Sequence, residues 1–585
     1  MMDTHGSERK DRHGLRFEDI EPLLKGVKCV GFDVFDTLLL RPFMRPTDLF
    51  IYLEENMSSP GFAAERISAE RRARTEIRKE IGIDEIYSLM DERFMHLKEK
   101  ELDAEHKLSI ADPGVKEICD RISGLGIDII AVSDMYLPRD SVSGMLDKNG
   151  YSGLKNVYVS NEYDVSKRSG ELFRKVLNDL SIEADEMLFI GDNHRSDHVV
   201  PLNMGIRSVR YISSKERYAA SHEREMRFSR SAGLGGSVIT AMDMLKWLRT
   251  TENEDYWYDI AYRFGGPIAS FFTLFLMSKI TDTVGSIFFI SRDGYNLQKI
   301  YNILSNEPIK NHYIYAPRFF TIIFGRDLPE SKDGARYVFE RFSDTEEVKA
   351  IEMPDNPSDK DYFIRLNENS DLFRSLLERE NSRYKKYIED KVGEGNILLV
   401  DVTTRMHSSQ RFIQDAVGPE RRVSGCYYNL MAHGDMDYCA YADRSRSRIS
   451  WNEVNVSEFF LGSPEPPADD IADDGTPVFQ NNIDEPELFR MSIYDRITEG
   501  ELDYVKDLKK TFGDDIPAIG YKVLDKWIRV LVKDRSSGDP EHLRKIQWAQ
   551  DKGHTFYLGM IFGPKEAVYK IKSMGGNLLW KIWRR

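Results

Sequence analysis

Five polar residues lie far apart in this sequence but occupy the same kind of position. Asp33 follows VKCVGF (27–32), Ser133 lies at the end of IDIIAVSD (127–134), and Asp192 follows MLFIG (187–191). Lys167 stands at a helix start, and Asp197 lies five residues beyond Asp192. The apolar runs are rich in β-branched and aromatic residues, which predicts buried strands. An open parallel sheet binds its ligands at the carboxyl ends of its strands, so these side chains are expected to converge. Together they supply a carboxylate able to act as nucleophile, a hydroxyl, a cation and two further acids suited to a hard metal ion. That set answers the problem of phosphoryl transfer. A phosphoryl group is anionic and repels an anionic nucleophile, and Mg²⁺ held by carboxylate oxygens neutralises both. A Lys and a Ser hydroxyl can hold the remaining phosphoryl oxygens. An Asp can then attack phosphorus, giving an aspartyl-phosphate that water later cleaves.

The elements that must position these residues follow from the pattern around them. Further strand-like runs are NVYVSN (156–161) and IRSVRYI (206–212), with helical stretches between (113–126, 169–180, 196–205). Strands alternating with helices predict a doubly wound parallel α/β sheet over 17–45 and 111–215. Residues 46–110 break this pattern. They are rich in Glu, Arg, Leu and Ala, and AAERISAERRARTEIRKE (63–80) interleaves opposite charges at helical spacing, so a helical insertion is expected there. Residues 216–254, with the Ser/Gly-rich SRSAGLGGS (229–237), read as a linker or bridging helix. A second α/β, Rossmann-like domain is expected over 255–483, with strands at SIFFIS (286–291), NILLVD (396–401) and VSGCYYNL (423–430). The Pro- and Asp-rich stretch 463–477 reads as an extended loop, and 484–585 as a helical C-terminal region.

FDVFDTLL (32–39), AVSD (131–134), KRSGELF (167–173) and IGDNHRSD (190–197) resemble, in order and spacing, the four motifs of the haloacid-dehalogenase-like (HAD) superfamily. The helical insertion between the first two motifs resembles that superfamily's cap. The resemblance implies Asp33 as nucleophile and Mg²⁺ ligand, the Phe35 backbone carbonyl as a second ligand, and Ser133 and Lys167 as phosphoryl binders. Asp192 would ligate Mg²⁺, and Asp197 would ligate it or orient Lys167. Asp36, Thr37 and Asp134 sit beside these positions as further candidates for substrate contact.

One position departs from the pattern. Most HAD phosphatases carry a second Asp two residues after the nucleophile, where it protonates the leaving group and then activates water. Here that residue is Phe35, which cannot transfer a proton. Asp36 is adjacent, but neighbours on an extended segment point to opposite sides. Three readings stay open: substrates with good leaving groups or an acid borrowed from the cap; dehalogenase-type chemistry, whose enzymes also have an aromatic here; and a binding module with weak hydrolysis. Carbon–halogen chemistry has no use for the metal-suited pair Asp192 and Asp197, so phosphoryl transfer comes first. In the cap, Arg66, Arg71, Arg72 and Arg74 could meet an anionic substrate, but their interleaving with Glu65, Glu70 and Glu76 favours a solvated helix face. His194, inside the last motif, is expected to be exposed or behind the site.

In the second half, SRDG (291–294) and VDVTTRMHSSQ (400–410) place Asp293 and Asp401 at strand ends, where a Rossmann-like sheet would bind a ligand. Helix capping by Asp293 is an equal reading. FDVFDTLLLRP, FISRDGYNL and LLVDV together are similar to long predicted HAD hydrolases that accompany glycosyltransferases in surface-polysaccharide gene clusters. That likeness implies a small phosphorylated substrate, such as a sugar phosphate of glycan biosynthesis, and glycan-assembly partners. The alternatives are a non-hydrolytic regulatory partner of glycan assembly and a bifunctional transferase with a second site in the C-terminal half.

Composition bounds these functions. With 585 residues, 41% hydrophobic and 31% charged, the chain has room for several globular domains. Its 82 Lys and Arg against 97 Asp and Glu give a net charge of −15, unsuited to general nucleic-acid binding. Four cysteines with no CxxC pair make neither a disulfide framework nor a zinc site, and point to a reducing cytoplasm. Residues 1–16 lack the apolar core of an export signal and read as a flexible N-terminus. GPIASFFTLFLM (Gly266–Met277 with Gly265 before it) is too short to span a bilayer and reads as a buried helix. NLLWKIWRR (577–585) reads as a packed helix end or a contact with an anionic membrane.

Overall fold

Strand β1 (Cys29–Phe32) is buried along its whole length because it pairs on both sides. The computed structural model describes residues 14–77, 80–250, 255–317, 319–320, 324, 327–445, 451–533, 546–549 and 557–559. The chain divides into two compact units, residues 1–254 with 507–519, and residues 255–506 with 520–585.

In the first unit β1 is followed by β2 (Leu39–Leu40), β3 (Ile110–Ala111), β4 (Asp128–Ser133), β5 (Asn156–Val159), β6 (Met187–Gly191) and β7 (Arg207–Arg210). Five of these form a parallel sheet in the order β5-β4-β1-β6-β7. The chain winds outward from β1 through β4 to β5, then crosses to β6 and β7. The winding reverses between β1 and β6, and the crevice opens there. Gly31 is required in β1, since a Cβ would lie 2.7 Å from Met187 Cε and 2.8 Å from Phe189 Cδ2.

The insertion leaves through β2 and returns through β3, which pair antiparallel as a two-residue neck. Between them lie helices Asp48–Asn56, Phe62–Glu76, Ile83–Ser88 and Leu97–Leu108. The solvated-face reading fails at Arg66, which is 0% exposed. Its guanidinium donates to both oxygens of Glu101 at 2.8 and 2.6 Å and lies over the rings of Phe50 and Tyr136. The charge alternation hid one arginine whose partner comes from another helix. Arg72 and Arg74 do follow the surface reading and pair with Glu65 and Glu70.

Of the two readings for the stretch after the first sheet, linker or bridging helix, the described residues up to 250 are helical. Helices Ser214–Ser221, Glu223–Ser231 and Gly233–Arg249 pack in the first unit, and the last is buried over most of its length. Its small residues allow close approach, and the Ser237 hydroxyl accepts the Met44 N–H at 2.7 Å. Residues 507–519 also belong to this unit, where Phe512 packs on Phe43 and Tyr52.

The second unit holds β8 (Val284–Ile290), β9 (Asn311–Ile314), β10 (Asn396–Thr404), β11 (Val423–Leu430) and β12 (Tyr438–Asp443). They form a second parallel sheet, β12-β11-β10-β8-β9, whose winding reverses between β8 and β10. Helix Gly266–Met277 is a core helix. The continuous helical segment Tyr256–Met277 has the length and hydropathy of a membrane span, but 78% of that window is buried within the protein. The described part of the C-terminal region is mainly helical, as expected. Helices Glu485–Phe512 and Tyr521–Lys533 are followed by an antiparallel pair, Gln547–Ala549 with Tyr557–Gly559. Residues 1–13 and the NLLWKIWRR segment lie outside the described residues.

Breaking a buried ion pair strands a charge, whereas replacing both partners does not. Arg66→Ala is therefore expected to destabilise the first unit by about 3–5 kcal/mol. Arg66→Met with Glu101→Leu should recover most of that loss, as read by urea denaturation.

Candidate active site

Asp33 is the first residue past β1, and its N–H is fixed by the Ile190 carbonyl of β6 at 2.9 Å. Its side chain is buried and accepts a hydrogen bond from the Lys167 ammonium. Lys167 also lies 2.8 Å from Asp197 Oδ1, so one buried cation joins two acids from different loops. Asp134, past the end of β4, positions Lys167 by accepting its backbone N–H at 2.7 Å. Asp197 is held by the Asn193 N–H at 3.0 Å and the Ser196 hydroxyl at 3.0 Å. It can fold back on the strand only because residue 191 is glycine, as a Cβ there would come 2.6 Å from the Asp197 carboxylate. The Thr37 hydroxyl lies 3.4 Å from the second oxygen of Asp33.

Asp33, Asp192 and Asp197 each offer a carboxylate oxygen within 4.8 Å of the others. Burial raises the pKa of Asp33, and the neighbouring Asp197 and Asp192 push it the same way against the pull of Lys167. Burial would lower Lys167, but Asp33 and Asp197 reverse this and hold it protonated. Asp192 is pushed up to about 6 by burial and then by Asp36 and Asp197. Three acids thus face one ammonium. This excess of hard, negatively charged oxygen donors fits a divalent cation such as Mg²⁺.

The cluster forms one wall of a cavity of about 380 Å³, together with Ser133, Asp134 and Phe35. The sequence-predicted residues Asp33, Ser133, Lys167, Asp192, Asp197, Asp36 and Asp134 all line it. His194 does not, and is exposed at the start of a π-helical turn, His194–Val199. Asp36 corrects the sequence expectation. It has φ 59, not an extended conformation, so its carboxylate turns towards the cavity, where it pairs with Lys215 at 2.8 Å. On the cap side of the cavity the sequence reading named Arg74 and Glu70 but missed Arg41 and Glu105. Arg41 covers the Phe35 ring at 4.2 Å and donates to both oxygens of Glu105 at 2.7 and 2.8 Å, while Glu70 and Arg74 pair beside it. Only the position of Arg41 directly after the first motif hinted at this.

In the second unit Asp293 and Asp401 meet across the point where the winding reverses. Burial raises Asp293, and Asp401 and Glu458 add to the rise. Asp401 is also raised by burial, although Asp293, Ser409 and the Val402 N–H hydrogen-bond to it. Asp293 does not cap the next helix, whose N-cap is Gly294 with no side-chain cap bond. A cavity of about 270 Å³ is lined here by Arg292, Asp293, Thr403, Glu458 and Arg490. Both arginines are engaged by Glu487. Arg292 has φ 70, a left-handed conformation that costs a side-chain-bearing residue energy.

No family model matches this chain. No curated protein matches it. Among solved structures, similarity is found to a dehalogenase with an intermediate complex, at 14% identity over 32% of this chain and 84% of that chain, TM-score 0.26. A haloacid-dehalogenase-like family hydrolase from Xanthomonas campestris matches at 17% identity over 32% and 81%, TM-score 0.25. A predicted phosphoglycolate phosphatase from Haemophilus somnus matches at 17% identity over 32% and 85%, TM-score 0.24. These neighbours are HAD-like hydrolases. At such identities and scores they carry nothing about substrate or reaction.

A carboxylate whose folded pKa is raised costs stability once it ionises, so that cost appears as pH rises towards the folded value. Without divalent cation, Asp192→Asn should therefore stabilise the protein by roughly 1–3 kcal/mol at pH 7.5. The gain should shrink as pH falls through about 6, as measured by urea denaturation in chelator.

Proposed function

We propose that the first unit is a Mg²⁺-dependent hydrolase that transfers a phosphoryl group through an aspartyl-phosphate on Asp33. The observation that carries this reading is the Lys167 ammonium shared by Asp33 and Asp197, with Asp192 within ligand distance of both. Asp33, Asp192, Asp197 and the Phe35 carbonyl are the groups to hold Mg²⁺, which when bound would screen the charge of cluster and phosphoryl group. Lys167 and Ser133 hold phosphoryl oxygens. Asp33 attacks phosphorus, and its new O–P bond forms as the bond to the leaving oxygen breaks. A small phosphorylated metabolite, such as a sugar phosphate of glycan biosynthesis, is the substrate class, and glycan-assembly proteins are the candidate partners.

The proton inventory narrows this class. Phe35 offers no proton. Glu105 is bound to Arg41, Glu70 to Arg66 and Arg74, Asp36 to Lys215, and Asp134 to the Lys167 backbone. Tyr136, also in the wall, is made a weaker acid by burial and then by Glu101. Substrates whose leaving oxygen departs without a proton, such as acyl phosphates, are favoured over alkyl phosphates.

Phosphate release from acetyl phosphate, sugar phosphates and nucleotides tests this reading, with and without chelator. Asp33→Asn is expected to lose turnover by about 10⁴-fold or more, and chelator to have a similar effect. Phe35→Asp should raise turnover of alkyl phosphates by about 10²-fold. Full activity in Asp33→Asn overturns the mechanism. No turnover in folded protein that binds Mg²⁺ favours a non-hydrolytic regulatory partner.

The cavity at the reversal point of the second sheet favours a second, separate site around Asp293 and Asp401. On this reading the chain is bifunctional, with a transferase activity in its second unit. Asp293→Asn should abolish that activity and leave Asp33-dependent phosphate release within about twofold, since the two sites share no residues. Loss of phosphate release in this variant would count against separate sites.

A further inference from the structure

Cys426 and Cys439 are thirteen positions apart in sequence, yet they face each other as paired residues on the parallel strands β11 and β12. Directly paired residues of adjacent strands project to the same face, at a Cα separation compatible with a disulfide. Tyr428 and Tyr441, each two residues on from one of the cysteines, both pack on Phe272, which places the thiols on the face covered by helix Gly266–Met277. Cys426 is 0% exposed, and Cys439, on the edge strand, is partly open. The directly paired thiols are asymmetric. Cys426 and the charge of Lys279 lower the Cys439 thiol, whereas burial raises Cys426. The other two cysteines, Cys29 and Cys119, are buried apart from this pair, and burial raises both.

We propose that Cys439 and Cys426 form an oxidisable dithiol that reacts with small peroxides and closes to a reversible disulfide between β11 and β12. The Cys439 thiolate attacks one peroxide oxygen. An S–O bond forms, the O–O bond breaks, and the leaving oxygen departs as water after taking a proton. The Cys426 sulfur then displaces the hydroxyl from the sulfenic acid. The S–S bond forms and a second water leaves with the Cys426 proton. Two thiols and one hydrogen peroxide thus give one disulfide and two waters. Cys439 is the attacking residue because it combines access with thiolate character, and Cys426 is the resolving residue because it is already in contact.

The test treats the full chain with a small excess of hydrogen peroxide, alkylates the remaining thiols, and maps the peptides by mass spectrometry without reduction. The expected result is loss of two hydrogens, a crosslinked peptide pair containing Cys426 and Cys439, and full reversal by dithiothreitol, with Cys29 and Cys119 still alkylated. Cys426→Ala should leave a sulfenic acid on Cys439, trapped by dimedone. The proposal is overturned if wild-type protein carries Cys439 as a sulfinic acid with no crosslink. It is equally overturned if oxidation spreads evenly over all four cysteines, or if both thiols stay reduced under peroxide.

Discussion

The Lys167 ammonium lies between Asp33 and Asp197 at the point where β1 and β6 release their chains. Around it are gathered three acids that repel one another in a poorly solvated crevice. Most of the local architecture brings that cation to the acids and holds it there. Asp134 fixes the lysine backbone, Gly191 makes room for the Asp197 carboxylate, and Asn193 and Ser196 fill that carboxylate's remaining hydrogen bonds. One cation does not balance three acids, and the crevice keeps a residual negative charge.

The second sheet gathers acids at the same topological point but balances them differently. Its nearby arginines are taken up by Glu487, and Asp293 and Asp401 hydrogen-bond to each other. In the first cluster a buried ammonium stands between the acids, whereas in the second burial raises both acids. Two sheets of similar winding thus present different chemical surfaces.

Much of the first sheet was legible in the sequence because its strands are short apolar runs ending in polar residues that line the cavity. The convergence of Asp33, Ser133 and Asp192 followed from strand ends, and that of Lys167 and Asp197 from a helix start and a short spacing beside them. What escaped depended on partners remote in the chain or on single dihedral angles. Arg66 looks like any surface arginine until Glu101 arrives from another helix. Asp36 faces the cavity because of one left-handed residue, which no hydrophobic period records. β9 is an edge strand with polar and intermediate positions, so it lacks the continuous apolar run that marked its neighbours. The contact between Cys426 and Cys439 depends on the register of a strand that the pattern did not reveal.

The neck of the insertion has a further consequence. The cap enters and leaves the first sheet through two paired residues on each side, Leu39 and Leu40 against Ala111 and Ile110. Its two ends are therefore joined to each other before either joins the sheet. Helices can be lengthened, shortened or exchanged beyond that ladder without changing the spacing of β1 and β4. Evolution can thus rebuild the cap side of the cavity while the acids and the lysine stay in place.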